Sequence, residues 1–155
     1  MLDDIAYMKI ALDEARIAYD NDEVPIGAIV VDENNNIIGR GHNDREQTQD
    51  ATRHAEMIAI QMATKEIGSW RLEQCSLYVT LEPCPMCSGA IIQSRIKKVV
   101  FGASDPKGGC VGSIVNLLTN ENFNHNPEVV SGILAEDCGK ILSEFFRKLR
   151  QKSKN

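Results

Sequence analysis

The residues able to do chemistry sit in two short stretches, His54-Ala55-Glu56 and Pro83-Cys84-Pro85-Met86-Cys87. Each alone is a weak signal. A histidine at a helix start is more often a cap or a surface residue than a ligand. A lone Cys-x-x-Cys serves equally as a redox pair, half of a structural zinc site, or packing. Together they say more. Both fall at loop-to-helix or strand-to-helix junctions, so two helix N-termini can converge on one point. Such ends carry free N–H groups and partial positive charge, which favour thiolate over thiol. Cys84 and Cys87 lie three apart, on one face of a first helical turn. With His54 they offer one nitrogen and two sulfurs, a donor set that zinc accepts.

The ligand count separates two kinds of site. A structural zinc is closed by four protein ligands, whereas a catalytic one takes three and leaves a position to water. His42 and His125 are available in principle, but neither belongs to a second Cys/His pair. Cys75, Cys110 and Cys138 are solitary and read as small core residues. Three ligands plus water is the better reading. Glu56, two residues past a ligand, then gains a role. Its bland reading is a first-turn carboxylate that suits the helix dipole. Its functional reading is a base beside a metal-bound water that can return the proton to a leaving group.

The elements that must position these residues follow from periodicity. Ile5, Met8, Leu12, Ala15 and Tyr19 mark one helix face, with Asp3 or Asp4 as its cap. Ile26 to Val31 and Ile37 to Gly41 flank turn chemistry at 32–36 and predict a hairpin. A polar loop, Asn43 to Arg53, leads to a helix from His54 to about Glu66. Ser76 to Leu81 is a strand, and Pro83 or Pro85 opens a helix reaching Ser94. Lys98 to Phe101 is a strand ended by Gly102, Ser113 to Leu118 a short helix, and Val129 to Ile133 a weak fifth strand. Ala135 to about Arg150 is a last helix, and the final five residues are expected to fray. A hairpin followed by strand–helix alternation gives an α/β protein with a mixed sheet flanked by helices.

The chain has 155 residues, which makes residues 1–155 one domain. Apolar residues are 43% and charged residues 25%, the profile of an ordinary globular protein. No apolar run is long enough to span a membrane. The acidic start, Met1-Leu2-Asp3-Asp4, lacks the basic region of a secretory signal, so a cytoplasmic location is expected. Five cysteines, an odd number, do not make a disulfide scaffold.

With these residues in place, the chain resembles the zinc-dependent cytidine and nucleobase deaminases. His54-x-Glu56 followed by Pro83-Cys84-x-x-Cys87 is the signature of that superfamily. The finer resemblance is to the bacterial tRNA-specific adenosine deaminases. It is carried by Glu23-Val24-Pro25-Ile26-Gly27-Ala28, Gly41-His42-Asn43, Leu77 to Cys84, Val99 to Ala103, Lys107-Gly108, Asn124-His125 and Phe145-Phe146-Arg147, and covers nearly the whole chain. It implies a cytidine-deaminase-like three-layer α/β/α sandwich with a five-stranded mixed sheet, one zinc per chain held by His54, Cys84 and Cys87, and a homodimer. It implies deamination of the wobble adenosine of an arginine tRNA to inosine, with the anticodon stem-loop as partner. Water activated on zinc attacks C6 while Glu56 moves the protons. By residue match, Asn43 bonds the flipped nucleoside, Ile26 walls the pocket and the Ala55 N–H faces the base. Asp105, Lys107, Asn124 and Phe146 are expected along the anticodon loop. Read from the residues alone, Asn43 is a turn residue and Asp105-Pro106 a turn starter. Glu82 reads as a structural carboxylate beside the site.

Three positions depart from the pattern. Arg53 precedes His54 where the family usually has Ala, Pro85 stands where Val is frequent, and Asn126 replaces a usual Arg. Cys-Pro-Met-Cys also occurs in guanine deaminases, so a free-nucleobase or nucleoside deaminase is the alternative. An inactive zinc-stabilised binding module is the third reading. The overall charge of −5 argues against a nucleic-acid partner at first sight. Its distribution reverses that. Residues 1–23 hold seven acidic and two basic residues, while 141–155 hold five basic and one acidic. A local basic surface from the tail and the segment after the cysteines would face RNA, with the acidic first helix turned away.

Overall fold

Successive strand residues point to opposite faces of a sheet, and here both faces are apolar. Ala28, Val30, Leu77, Val79, Val99 and Phe101 pack on one side. Ile29, Val31, Tyr78 and Val100 pack on the other. The computed structural model describes residues 2–153 of the chain. Its elements are α1 (Asp4–Asp20), β1 (Gly27–Val31), β2 (Ile37–His42), α2 (Arg45–Thr48), α3 (Ala55–Ile67), β3 (Ser76–Leu81), α4 (Pro85–Ser94), β4 (Lys98–Ala103), β5 (Glu128–Ser131) and α5 (Ala135–Ser153). The sheet order is β2-β1-β3-β4-β5. β1 runs antiparallel to β2 and β3, while β3, β4 and β5 are mutually parallel.

Residues of α3 and α4 join the first apolar cluster, and residues of α1 and α5 the second. The result is the expected three-layer sandwich on a mixed sheet. Antiparallel pairing puts the start of β1 beside the ends of β2 and β3: Gly27 is opposite His42, and Ala28 opposite Val79. The residues that follow β2 and β3 therefore gather at one end of the sheet.

Several boundaries and faces differ from expectation. Asp3 caps α1, accepting the Ala6 N–H at 2.9 Å, but the buried face is Tyr7, Met8, Ala11, Glu14, Ala15 and Ala18, and Ile5 is 47% exposed. The small alanines let the helix lie close on the sheet, which the bulky stripe would not. The polar loop contains a short helix, α2. β4 continues through Gly102 to Ala103, and β5 ends at Ser131 because Gly132 turns to φ 84°.

The short helix expected over 113–118 does not form. Its backbone is bonded elsewhere: the Val111 and Ser113 N–H groups donate to Glu82, and Asn126 Nδ2 donates to the carbonyls of Leu118 and Asn120. Val111 and Asn116 form an isolated bridge instead. α5 extends three residues beyond its expected end, through Ser153; Lys154 and Asn155, part of the tail expected to fray, lie outside the described residues. α1 and α5 share one face, and Lys152 Nζ reaches Asp22 at 3.5 Å, so acidic helix and basic tail sit side by side. Cys75, Cys110 and Cys138 are buried and free, as expected of core residues.

Candidate active site

His54, Cys84 and Cys87 converge although thirty residues separate the first two. His54 is the N-cap of α3 and Cys84 the N-cap of α4, with Pro85 at the first helical position. Both cap side chains turn inward, the imidazole of His54 toward the sulfurs of Cys84 and Cys87. His54 Nδ1 lies 3.5 Å from Cys84 Sγ and 3.6 Å from Cys87 Sγ. A tetrahedral ion about 2.0–2.1 Å from nitrogen and about 2.3 Å from sulfur requires roughly this separation. The donor set and its spacing fit zinc.

Among the described residues no other such cluster exists, and no fourth protein ligand joins this one. His42 is committed to Glu14 at 3.3 Å, and His125 Nε2 to the Ile96 carbonyl at 2.6 Å. Three protein donors leave room for a fourth, non-protein ligand, which is the catalytic pattern rather than the structural one.

The electrostatics favour negative charge on Cys84. Hydrogen bonding from the Cys87 thiol pulls Cys84 down to about 4, with His54 helping and burial opposing. The same contact, reinforced by burial, pushes Cys87 up. His54 is drawn up by its hydrogen bond to Cys84. Glu56, in the first turn of α3, is 4% exposed. Burial pushes its carboxyl up to about 7, and the charge on Cys84 acts in the same direction. A carboxyl buried against two thiols and an imidazole is not a surface helix-dipole residue.

The first turn of α3 is held in place by β2. A Cβ at Gly41 would come within 2.3 Å of the Ala55 carbonyl oxygen. Only glycine lets that turn rest directly on the strand, which fixes Ala55 and Glu56 together. No side chain caps α3, so the Ala55 N–H keeps the free-donor character of a helix start.

Ile26, Asp105, Lys107 and Phe146 line one groove of about 700 Å³, together with Leu149 and Arg150. Four residues proposed from sequence thus share a surface although they come from three distant segments. Asn43 is buried, with its side-chain amide donating to the Val24 carbonyl and accepting the Arg45 N–H, both at 3.2 Å. Asn124 is not brought to the groove; it is exposed in the loop before β5.

Glu82 ties the loop after β4 to the end of β3. It accepts N–H bonds from Asp105 (3.0 Å), Val111 (2.9 Å) and Ser113 (3.1 Å), and a short bond from the Ser113 hydroxyl. A Cβ at Gly109 would fall 2.3 Å from its carboxyl carbon, so the loop can close over Glu82 only with glycine there. Asp105 is a turn former, its carboxylate accepting the N–H groups of Lys107 and Gly108.

Of the departures, Arg53 has a firm place: its guanidinium grips Asp44 through two bonds of 2.9 and 2.8 Å. Asn126 braces the 118–120 backbone, and Pro85 is exposed at the start of α4. Sequence reasoning assigned no role to two polar anchors, Glu23 and Asp44. No spacing rule marks them, because the partners of Glu23 are backbone N–H groups of α2 and that of Asp44 is a guanidinium nine residues on in an irregular loop.

A five-stranded mixed sheet with a nitrogen–sulfur–sulfur cluster at two helix starts and a buried carboxylate beside it defines a deaminase. The family model described as MafB19-like deaminase matches residues 2–150. The tRNA-specific adenosine deaminase of Bacillus subtilis is 58% identical over 154 residues, covering 99% of this chain and 95% of that one. A solved structure from work on A-to-I editing by tRNA:A34 deaminases has a TM-score of 0.84 at 44% identity, covering 88% of this chain and 99% of that chain. The guanine deaminase of Bacillus subtilis matches at a TM-score of 0.63 and 36% identity, over 66% of each chain. The chain belongs to the MafB19-like deaminases and, within them, to the tRNA-specific adenosine deaminase family.

Proposed function

We infer that the protein is a zinc-dependent hydrolase that deaminates adenosine to inosine at the wobble position of tRNA, acting on the anticodon loop of an arginine tRNA. The observation that carries this reading is the His54–Cys84–Cys87 cluster beside buried Glu56, in a chain 58% identical along its length to a tRNA-specific adenosine deaminase. Zinc held by His54 Nδ1, Cys84 Sγ and Cys87 Sγ would supply Lewis acidity, lowering the pKa of water at the open position from about 15.7 to about 7.

The chain's own residues do the rest. Glu56 takes the proton of the attacking water and delivers it to N1 of adenine as oxygen bonds to C6. The second proton passes through Glu56 to the 6-amino group. The C6–N bond then breaks, ammonia leaves and a carbonyl forms at C6, so adenosine and water become inosine and ammonia. Asn43 holds the nucleoside, Ile26 walls it and the Ala55 N–H meets the base. Asp105, Lys107 and Phe146 contact flanking nucleotides from the groove, and Asn124 meets the loop at its edge. Wobble-base editing places the enzyme in the cytoplasm. A homodimer is supported by apolar side chains left on the α3 side, Met62 (48% exposed), Ile67 (45%) and Trp70 (56%).

The test is inosine formation in an arginine anticodon stem-loop bearing adenosine at the wobble position, with free guanine assayed in parallel. Turnover of the stem-loop is expected. Turnover of guanine with none on the stem-loop would reverse the reading in favour of a nucleobase deaminase.

A further inference from the structure

The segment from Asn43 to His54 joins a proposed substrate residue to a proposed metal ligand, and it has no apolar core of its own. Residues 45–52 are exposed apart from their backbone bonds, so polar contacts alone set the loop's shape. At its inner end, Glu23, 1% exposed, accepts the N–H groups of Glu46 at 3.0 Å and Gln47 at 2.8 Å, fixing α2 to the segment that leads into Ile26. Asp50 accepts the Thr52 N–H and hydroxyl, and the His54 N–H donates to the Thr52 carbonyl at 2.9 Å.

Two contacts join the arms: the Asp50 N–H donates to the Arg45 carbonyl at 3.2 Å, and Asp44 and Arg53 close the end nearest the site. Asp44 Oδ1 accepts Arg53 Nε at 2.9 Å, Oδ2 accepts Nη2 at 2.8 Å, and the Asp44 N–H donates to the Arg53 carbonyl at 3.3 Å. The side chains are 16% and 32% exposed, so the pair is partly shielded from water. A planar fork on a carboxylate fixes orientation as well as distance, which a lysine does not. Asp44 follows Asn43 directly and Arg53 precedes His54 directly.

We propose that Asp44 and Arg53 form a clamp that positions His54 toward the cysteine pair and Asn43 toward the nucleoside, making both of them positioning residues for the deamination. Glu56 is set independently by the seating of α3 on Gly41. The clamp therefore governs metal retention and substrate fit rather than the proton-moving step. The proposal rests on the deaminase reading for its substrate half; its metal half needs only the cluster.

The full-length, zinc-loaded protein is compared with Arg53→Ala, Arg53→Lys, Asp44→Asn and the reversed pair Asp44→Arg with Arg53→Asp. The readouts are zinc release to a chelator, KM and kcat on the stem-loop, and Tm. Zinc release about tenfold faster in Arg53→Ala and Asp44→Asn is expected, with KM raised more than kcat is lowered. Arg53→Lys should behave like Arg53→Ala, and the reversed pair should recover most of the loss. Lys98→Ala, which breaks the remote pair with Asp4, controls for general destabilisation. Release within about twofold of the parent in Arg53→Ala, or equally fast release from Lys98→Ala, overturns the proposal. A parent that never forms inosine, but whose zinc release depends on Arg53, refutes the function and leaves the clamp standing.

Discussion

Glu82 Oε1 accepts the backbone N–H of Asp105 at 3.0 Å, which couples the end of β3, one residue before Pro83-Cys84, to the loop that forms one wall of the groove. Burial by itself raises the Glu82 carboxyl. The bonds from the Ser113 hydroxyl and from the Asp105, Val111 and Ser113 N–H groups outweigh it and hold the carboxyl below its usual range. A depressed folded-state pKa stabilises the fold above the unfolded value, about 4.3, and that contribution is lost as pH falls through the folded value. Glu82→Gln should therefore flatten the acid limb of the stability–pH curve. Glu82→Ala strands three N–H groups and should cost about 3 kcal/mol or more at neutral pH. Urea unfolding across pH measures both, and an acid limb unchanged in Glu82→Gln would refute the assignment.

Glu56→Ala separates metal binding from chemistry. The variant should keep one zinc per chain while its kcat falls by at least about 10²-fold, the lower bound for losing a positioned acid–base group. Single-turnover inosine assays beside metal analysis decide it. Parental rates in this variant would remove Glu56 from the proton path.

Cys84→Ala and Cys87→Ala each take away one of three donors. Tight zinc should be lost from both, together with activity, whereas His42→Ala should retain the metal because His42 is engaged with Glu14. A Cys84→Ala or Cys87→Ala protein that still holds one tight zinc per chain would mean that the ligand set is wrong.

Lys107 and Arg150 line the groove from two different elements. If phosphates of the anticodon loop pass there, Lys107→Ala and Arg150→Ala should each lower the slope of log affinity against log salt by about 0.7, the single-strand value per neutralised phosphate. Stem-loop binding from low to moderate salt gives the slope. Identical slopes in parent and variants would place the RNA backbone elsewhere.

Legibility varied with the kind of interaction. β3 and α4 could be read from alternation and from proline because those signals are local. The face of α1 was legible in part: of Ile5, Met8, Leu12, Ala15 and Tyr19, Met8 and Ala15 are fully buried, whereas Ile5 is exposed and close approach to the sheet buries Ala11 and Ala18 instead. The segment 113–118 reads as a short helix, but its backbone donors are claimed outside it: the Ser113 N–H by Glu82, far away in sequence, and the Ile114 and Leu117 N–H groups by the Gly109 and Cys110 carbonyls. The fold brings Ile26, Asp105, Lys107 and Phe146 to one groove, and Asn124, expected beside them, lies outside it.

The sequence by itself determined the donor set, one histidine and two cysteines with a glutamate two residues on, because metal affinity follows from ligand type and spacing within a turn. It also determined the layered α/β architecture, since strand and helix periodicities are written locally. Only the tertiary structure decided that the donors meet at 3.5 and 3.6 Å, that His42 and His125 are engaged elsewhere, and that Arg53 closes on Asp44. Those outcomes depend on long-range hydrogen bonds and on close backbone approach at Gly41 and Gly109. Contacts of that kind join residues far apart in the chain, and no periodicity in either partner records them.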